Sequence, residues 1–228
     1  MIRINADRFS RLFWEIIFES ADMLPEEKKN VQKKAAIDLE QLRISADYST
    51  GSMTPSQSFL LFLTTLFFQP KRVLEIGTFI GRSTISMALA MESYYEDGEI
   101  FTCDASNEIE IPWNGSTKIN QFRKQSSTDM LSAVSGVFDF LFLDGRLVEQ
   151  DLALLDNLIG DMTVIGLDDF EGMEKGVINL TNLKRLKKLQ HHFLIYPADR
   201  AAMKNNGLLG RSVFALLVPL AMIQMTNQ

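Results

Sequence analysis

Apolar and polar positions alternate in two regimes along this chain. Over residues 1–50 the apolar side chains recur every three or four positions. They are Phe9, Leu12, Phe13, Ile16 and Ile17 and then, after a charged break at 26–29, Ala36, Leu39 and Leu42. That period predicts amphipathic helices. A polar loop at 48–52 follows. Thr54 and Gln57 bracket Pro55 as a capping box, opening a helix whose apolar body, 59–68, stops before Pro70. From residue 73 the rhythm becomes strand, helix, strand. Apolar runs at 73–76, 99–103, 138–143 and 163–167 predict strands, with helical patterns at 83–91, 152–159 and 176–190. Two last runs, 193–196 and 212–218, flank Asn205-Asn206-Gly207 and predict an antiparallel hairpin. The expected fold is α/β: a doubly wound, mostly parallel, Rossmann-like sheet with a C-terminal antiparallel hairpin and an N-terminal helical cap. The cap is residues 1–50, and residues 51–228 form one compact unit.

Composition narrows the classes. With 228 residues and 46% hydrophobic content the chain can bury one sizeable core. A net charge of −6 argues against nucleic acid, whose partners show a strongly basic face. The one basic cluster, Lys184, Arg185, Lys187 and Lys188, reads as the solvated face of a helix whose Leu183, Leu186 and Leu189 are buried. A single cysteine, Cys103, excludes an internal disulfide and fits a reducing, cytoplasmic compartment. Arg3, Asp7 and Arg8 interrupt any signal-peptide layout. The longest apolar stretches, 59–68 and 213–225, are short for a bilayer span, so no membrane is expected.

The chemistry concentrates at residues 73–81 (VLEIGTFIG), a strand feeding a glycine turn and a helix, where open α/β sheets bind nucleotide-like ligands. A dinucleotide fingerprint needs glycine where this chain has Glu75. A carboxylate there repels a pyrophosphate but accepts hydrogen bonds from a cationic or hydroxylated group. S-adenosylmethionine (SAM), with ammonium, sulfonium and ribose and no phosphate, fits that loop. Asp104 ends the next strand, about where an acid meets a ribose hydroxyl pair. Asp144 and the pair Asp168-Asp169 end two further strands. Three converging carboxylates repel one another unless a hard cation such as Mg²⁺ relieves them. Turn and capping roles without a metal are the other reading of the same acids.

With these residues in place, 50–218 resemble the class I SAM-dependent O-methyltransferases, close to the catechol and caffeoyl-coenzyme A group. The resemblance rests on residues 53–60 (MTPSQSFL), on 73–83 through Ser83, and on 138–144 (FDFLFLD) and 164–169 (VIGLDD). It implies that Glu75 and Gly77 hold the methionine part of SAM, Ser83 its carboxylate, Asp104 the ribose, and Ser127 the region near the adenine. Thr78, Gly81, Ala105 and Asp144 complete the implied cradle. It also implies Asp144, Asp168 and Asp169 as ligands of Mg²⁺ or a similar divalent cation, and a small-molecule hydroxyl as acceptor; a homodimer is left open. Two departures stand out. The catechol-type group carries Asp-Asn where this chain has Asp168-Asp169, which with Asp144-Gly145 looks more like a branch acting on sugars of natural products. Where relatives place a catalytic Lys or His, this chain has Leu147. Hence a SAM-binding protein without catalysis is the rival expectation, and a nucleotide-dependent oxidoreductase is the second, opposed by Glu75. Asp144 and Lys175 are the catalytic candidates, Lys175 as a base if desolvation lowers its pKa. His191 and His192 are expected to be structural or at the surface. Lysine or histidine at position 147 is expected to raise turnover.

Overall fold

The computed structural model of the protein describes residues 6–45, 52–106, 109–170, 172 and 175–225. The chain opens with α1 (Ala6–Asp22) and α2 (Glu26–Asp38), followed by a 3₁₀ segment, Leu39–Ser45. After α3 (Pro55–Phe68) come β1 (Arg72–Ile76), α4 (Arg82–Met91), β2 (Glu99–Asp104), β3 (Lys118–Arg123), α5 (Ser127–Ala133) and β4 (Phe138–Leu143). Then follow α6 (Glu149–Leu158), β5 (Ile159–Leu167), α7 (Gly176–Leu183), a 3₁₀ turn at Lys187–Leu189, β6 (His192–Ile195), α8 (Arg200–Asn205), β7 (Ala215–Pro219) and α9 (Leu220–Met225).

The strands form one sheet in the order β3-β2-β1-β4-β5-β7-β6. The first five are parallel, and β7 runs antiparallel between β5 and β6. Its order reverses between β1 and β4, the switch point where open sheets make a crevice at the carboxyl ends of their strands. The strands alternate their side chains between two apolar layers. Val73, Phe140 and Phe142 join the core that α1, α3 and α4 cover, whereas Leu74, Leu141 and Leu143 join the core under α5, α6 and α7.

The predicted α/β sheet stands, with several corrections in detail. The capping box at α3 forms as expected, Gln57 N donating to Thr54 Oγ1 at 3.2 Å and Thr54 N to Gln57 Oε1 at 3.0 Å. In α1 the buried stripe is Ser10, Phe13, Trp14, Ile17 and Phe18; Leu12 is 52% exposed and Ile16 38%. The face turned because Trp14 Nε1 donates to Tyr196 O at 2.7 Å and Tyr196 N to Ser10 Oγ at 2.9 Å, which fixes the helix against the end of β6. The charged segment 26–29 starts α2 rather than breaking the helices; Pro25 marks the break.

Two elements carried no strong apolar signal. Strand β3 is a polar edge strand paired along its length with β2, and α5 begins at a capping box of Ser126 and Asp129. The helix expected over 176–190 ends at Leu183. Leu186 is extended, so the basic cluster lies on a turn rather than a helix face, although Leu183, Leu186 and Leu189 are buried as expected. Strands β6 and β7 do pair antiparallel. Their connection is no tight turn, because Asn205 ends α8 and Gly207 follows in the left-handed region (φ 70°). The polar loop predicted at 48–52 falls mostly outside the described residues. Among the described residues no helix is long and apolar enough to cross a membrane.

The N-terminal helices are tied to the loop after β1. Arg82, 5% exposed, pairs with Glu40 of the 3₁₀ segment and donates to Met53 O. Leu39 is buried with Phe79, Ile80, Ile85 and Ile111 over the glycine turn.

Candidate active site

The crevice at the switch point has a volume of about 580 Å³ and is lined by residues of four strand ends, among them Gly77, Phe79, Asp104, Ala105, Ser127, Asp144, Asp169 and Lys175. Its floor exists because Gly77 is glycine. With φ at 104°, it passes so close to the β4 turn that a Cβ would lie 2.8 Å from the Asp144 carbonyl carbon. Asp144 N and Gly145 N both donate to Ile76 O, at 2.9 and 2.7 Å, and lock the two turns together. Gly81 (φ 79°) packs against the Ile111 side chain and starts α4.

Asp104 closes one side. Its Oδ2 accepts from Phe79 N and its Oδ1 from Ser106 N, both at 2.8 Å, so this acid holds the glycine turn as well as facing the crevice. Phe79 sits at φ 45° within that turn. Thr78 lies beneath, its hydroxyl 2.5 Å from that of Thr102.

Glu75 is fully buried behind the turn, on the α4 side that strand alternation dictates. Thr84 and Thr102 donate to its Oε2 at 2.5 and 2.6 Å, and Ser83 also bonds to it. Its Oε1 is buried without a partner. Burial pushes its pKa up to about 7 against those hydrogen bonds. The threonines at 84 and 102 were missed in the sequence because nothing marks a partner that only the β1–β2–α4 packing brings near. Ser127 lines the opposite end, its hydroxyl held at 2.7 Å by Asp151, which also accepts from Thr128 and from Val148 N. Asp151 is fully buried and was missed too; its place at the third position of α6 is the signal that could have found it.

Asp144, Asp168 and Asp169 meet beside this cradle, with one carboxylate oxygen from each lying within 4.8 Å of the others. Asp168 is buried, with Oδ1 unpartnered, and Asp169 adopts φ 48°, a left-handed conformation that Asp tolerates. Burial, reinforced by the charges of Asp144 and Asp169, raises the pKa of Asp168 well above the usual carboxylate range. Burial also raises Asp144, to about 6, against the pull of Lys175.

Lys175 Nζ stands 2.8 Å from Asp144 Oδ1 and 3.0 Å from Asp169 Oδ2. The expectation of a base at Lys175 is therefore corrected. Burial does pull its pKa down, but the two carboxylates outweigh burial and hold it above the ordinary lysine value. In this arrangement it is a cation and a donor, not a proton acceptor. One ammonium cannot balance three carboxylates. An all-oxygen donor set with a buried, unpartnered oxygen fits a hard divalent cation.

The reading of Leu147 also changes. Its side chain is 2% exposed and belongs to the core with Leu143, Leu152 and Leu180, and its N–H donates to Asn179 Oδ1 at 2.9 Å. Position 147 does not face the crevice, so leucine there is no vacated base position and does not argue for a protein that has lost catalysis. Leu147→Lys, expected from the sequence to raise turnover, should instead destabilise the fold by about 3 kcal/mol or more, because it buries an unpaired charge. Urea unfolding measures this; an unchanged midpoint would mean that the side chain escapes the core. Neither histidine lines the crevice. His192 Nε2 meets Thr163 O at 2.8 Å on β6, and His191 is exposed.

A parallel sheet of this order, with a glycine turn after β1 and acids at the ends of β1, β2 and β4, defines the Rossmann-like methyltransferase fold. Residues 74–170 match the family model described as a methyltransferase domain. A catechol O-methyltransferase of Niastella koreensis is 29% identical over 138 residues, which cover 56% of this chain and 61% of that protein. The chain thus matches about three fifths of the length of that curated relative. Among solved structures, the O-methyltransferase TomG of Streptomyces achromogenes, in complex with SAM, aligns with a TM-score of 0.56 at 19% identity, over 81% of this chain and 89% of TomG. An O-methyltransferase of Bacillus cereus in complex with S-adenosylhomocysteine (SAH) aligns at 0.54 and 19% identity, over 81% and 90%. The resemblance to class I SAM-dependent O-methyltransferases is borne out.

Proposed function

We propose that the protein is a SAM-dependent O-methyltransferase that methylates a hydroxyl of a small molecule with the help of a divalent cation. The observation that carries this reading is the meeting of Asp144, Asp168 and Asp169, the first and last of which line a crevice whose other walls are the glycine turn and Asp104. In the reaction the acceptor oxygen attacks the sulfonium methyl in line. The C–S bond breaks, its electron pair goes to sulfur, SAH leaves, and the hydroxyl proton is lost.

The protein's share is mainly positioning. Asp104, Ala105 and Ser127 lie where the nucleoside part of SAM would rest, and Gly77 leaves room for the methionine part. Glu75 Oε1 is the acceptor nearest in kind to what the ammonium needs. Asp144, Asp168 and Asp169 would hold the cation, which when bound supplies Lewis acidity to a coordinated hydroxyl. Lys175 adds positive charge beside the developing oxyanion. A cytoplasmic location, expected from the composition, belongs to the same reading.

The direct test incubates the protein with SAM, Mg²⁺ and a catechol and follows SAH and the methylated product by mass spectrometry. Methylation that EDTA abolishes is the expected result. Failure to bind either SAM or SAH would overturn the reading.

A further inference from the structure

Asp151, the third residue of α6, has no solvent exposure. Its two oxygens take three hydrogen bonds. Oδ2 accepts from Ser127 Oγ at 2.7 Å and from Val148 N at 3.0 Å, and Oδ1 accepts from Thr128 Oγ1 at 2.6 Å. Helix capping explains one of these. Val148 N is the donor that an acid at the third helical position ordinarily takes. Helix α5 has a capping box of its own, between Ser126 and Asp129, and needs nothing from Asp151. The hydroxyls of Ser127 and Thr128 are in excess of capping. They satisfy a carboxylate removed from water, and their own protons are thereby committed.

Of this pair, Ser127 lines the crevice. A hydroxyl has one proton and two lone pairs, and a carboxylate only accepts. Ser127 therefore turns its proton to Asp151 and shows the crevice an oxygen that accepts and cannot donate. Among the described residues nothing donates to that oxygen. What meets it follows from the sheet. The order β3-β2-β1-β4 lays the crevice out as a row, with Asp144 after β4, the glycine turn after β1, Asp104 after β2 and Ser127 after β3. A ligand with its sulfonium toward Asp144 and its ribose at Asp104 carries its base to Ser127.

We propose that Asp151 is a positioning residue that sets the polarity of Ser127, so that this end of the crevice selects a base with an exocyclic amino group over one with a carbonyl in its place. The proposal rests on the methyltransferase reading and adds to it a residue outside the crevice. The amino group of adenine donates to the fixed oxygen. A carbonyl there would set two acceptors against one another, both removed from water. A serine free to rotate would serve either base, and Asp151 takes that freedom away. Sites built around a hydrogen bond reject analogues that lack it more strongly than sites built on shape.

The test titrates SAH and S-inosylhomocysteine, its analogue with a carbonyl in place of the adenine amino group, calorimetrically into the native protein and three variants. The native protein should favour SAH by roughly tenfold or more, the cost of leaving a buried polar group unsatisfied. In Ser127→Ala the ratio should fall toward one. In Asp151→Asn the amide can donate to Ser127 Oγ, which frees the hydroxyl proton for the crevice, and the ratio should fall or reverse. Thr128→Val removes a partner of Asp151 outside the crevice and should lower the melting temperature while keeping the ratio. Should Asp151→Asn fail to fold, Ser127→Ala and Thr128→Val decide. Equal affinity of the native protein for the two ligands, a preference that survives in Ser127→Ala, or an equal loss in Thr128→Val overturns the proposal. If the native protein binds neither ligand, the methyltransferase reading falls and takes this one with it, an outcome distinct from equal binding.

Discussion

Asp168→Ala is expected to cut cation-dependent methyl transfer by about a thousandfold, the several kcal/mol that a Lewis-acid cation contributes to a reaction of this kind. Asp168 is the buried member of the acid cluster, with one oxygen lacking any partner. Without it, Asp144 and Asp169 remain, and Lys175 already balances part of their charge. The Mg²⁺-dependent rise in melting temperature should vanish in the variant, whereas SAH affinity should stay within about twofold, because Asp168 does not line the cofactor crevice. Two measurements decide: turnover against free Mg²⁺, and melting temperature with and without Mg²⁺. Native activity that persists in excess EDTA would show that the three acids serve turns and caps instead.

Glu75→Gln should weaken SAM binding by roughly ten- to a hundredfold, since a hydrogen bond to a charged group contributes about 1.5–3 kcal/mol. It should also change how stability depends on pH. In the ligand-free protein burial raises Glu75 from 4.5 to about 7. A raised folded pKa means that the native state prefers the protonated form. This stabilising contribution is therefore complete below about pH 4.5 and is lost as the pH climbs through 7, by about 3 kcal/mol at 1.4 kcal/mol per pKa unit. Glutamine cannot ionise. The variant should accordingly gain stability over the native protein at pH 8 and little at pH 5, in urea unfolding without ligand. SAM, bringing an ammonium to the ionised carboxylate, should bind the native protein more tightly as pH rises from 5.5 to 7.5, and the variant should lack that slope. Equal SAM affinity in the two proteins would falsify a role for Glu75 beyond buried packing.

The sheet and the place of its crevice were legible in the sequence because buried parallel strands must be continuous apolar runs, and their ends must be punctuated by turns. Residues 73–76, 138–143 and 163–167 come close to both demands, broken only by Glu75, Asp139 and Thr163. Glu75 within the first run and the acids that follow the other two stand out against so much hydrophobic sequence. Strand β3 escaped notice because an edge strand is half solvated and needs no apolar run; its Lys118–Arg123 pairing with β2 is a backbone matter. The turned face of α1 escaped for a related reason. A helix with apolar residues on several sides has no unique buried stripe until a partner chooses one, here the Tyr196 backbone.

The site divides the same way. Local sequence determined the glycine turn, the acids at the strand ends, and hence the kind of ligand that suits them. Side-chain direction and electrostatic environment arise from packing, and tertiary structure alone decided them. It turned Leu147 into the core, set Lys175 between two carboxylates that hold its proton, and surrounded Glu75 with hydroxyls while leaving one oxygen bare. Residue type and spacing act through the nearest few positions of the chain, whereas a pKa depends on whatever the fold brings within a few ångströms from anywhere along it.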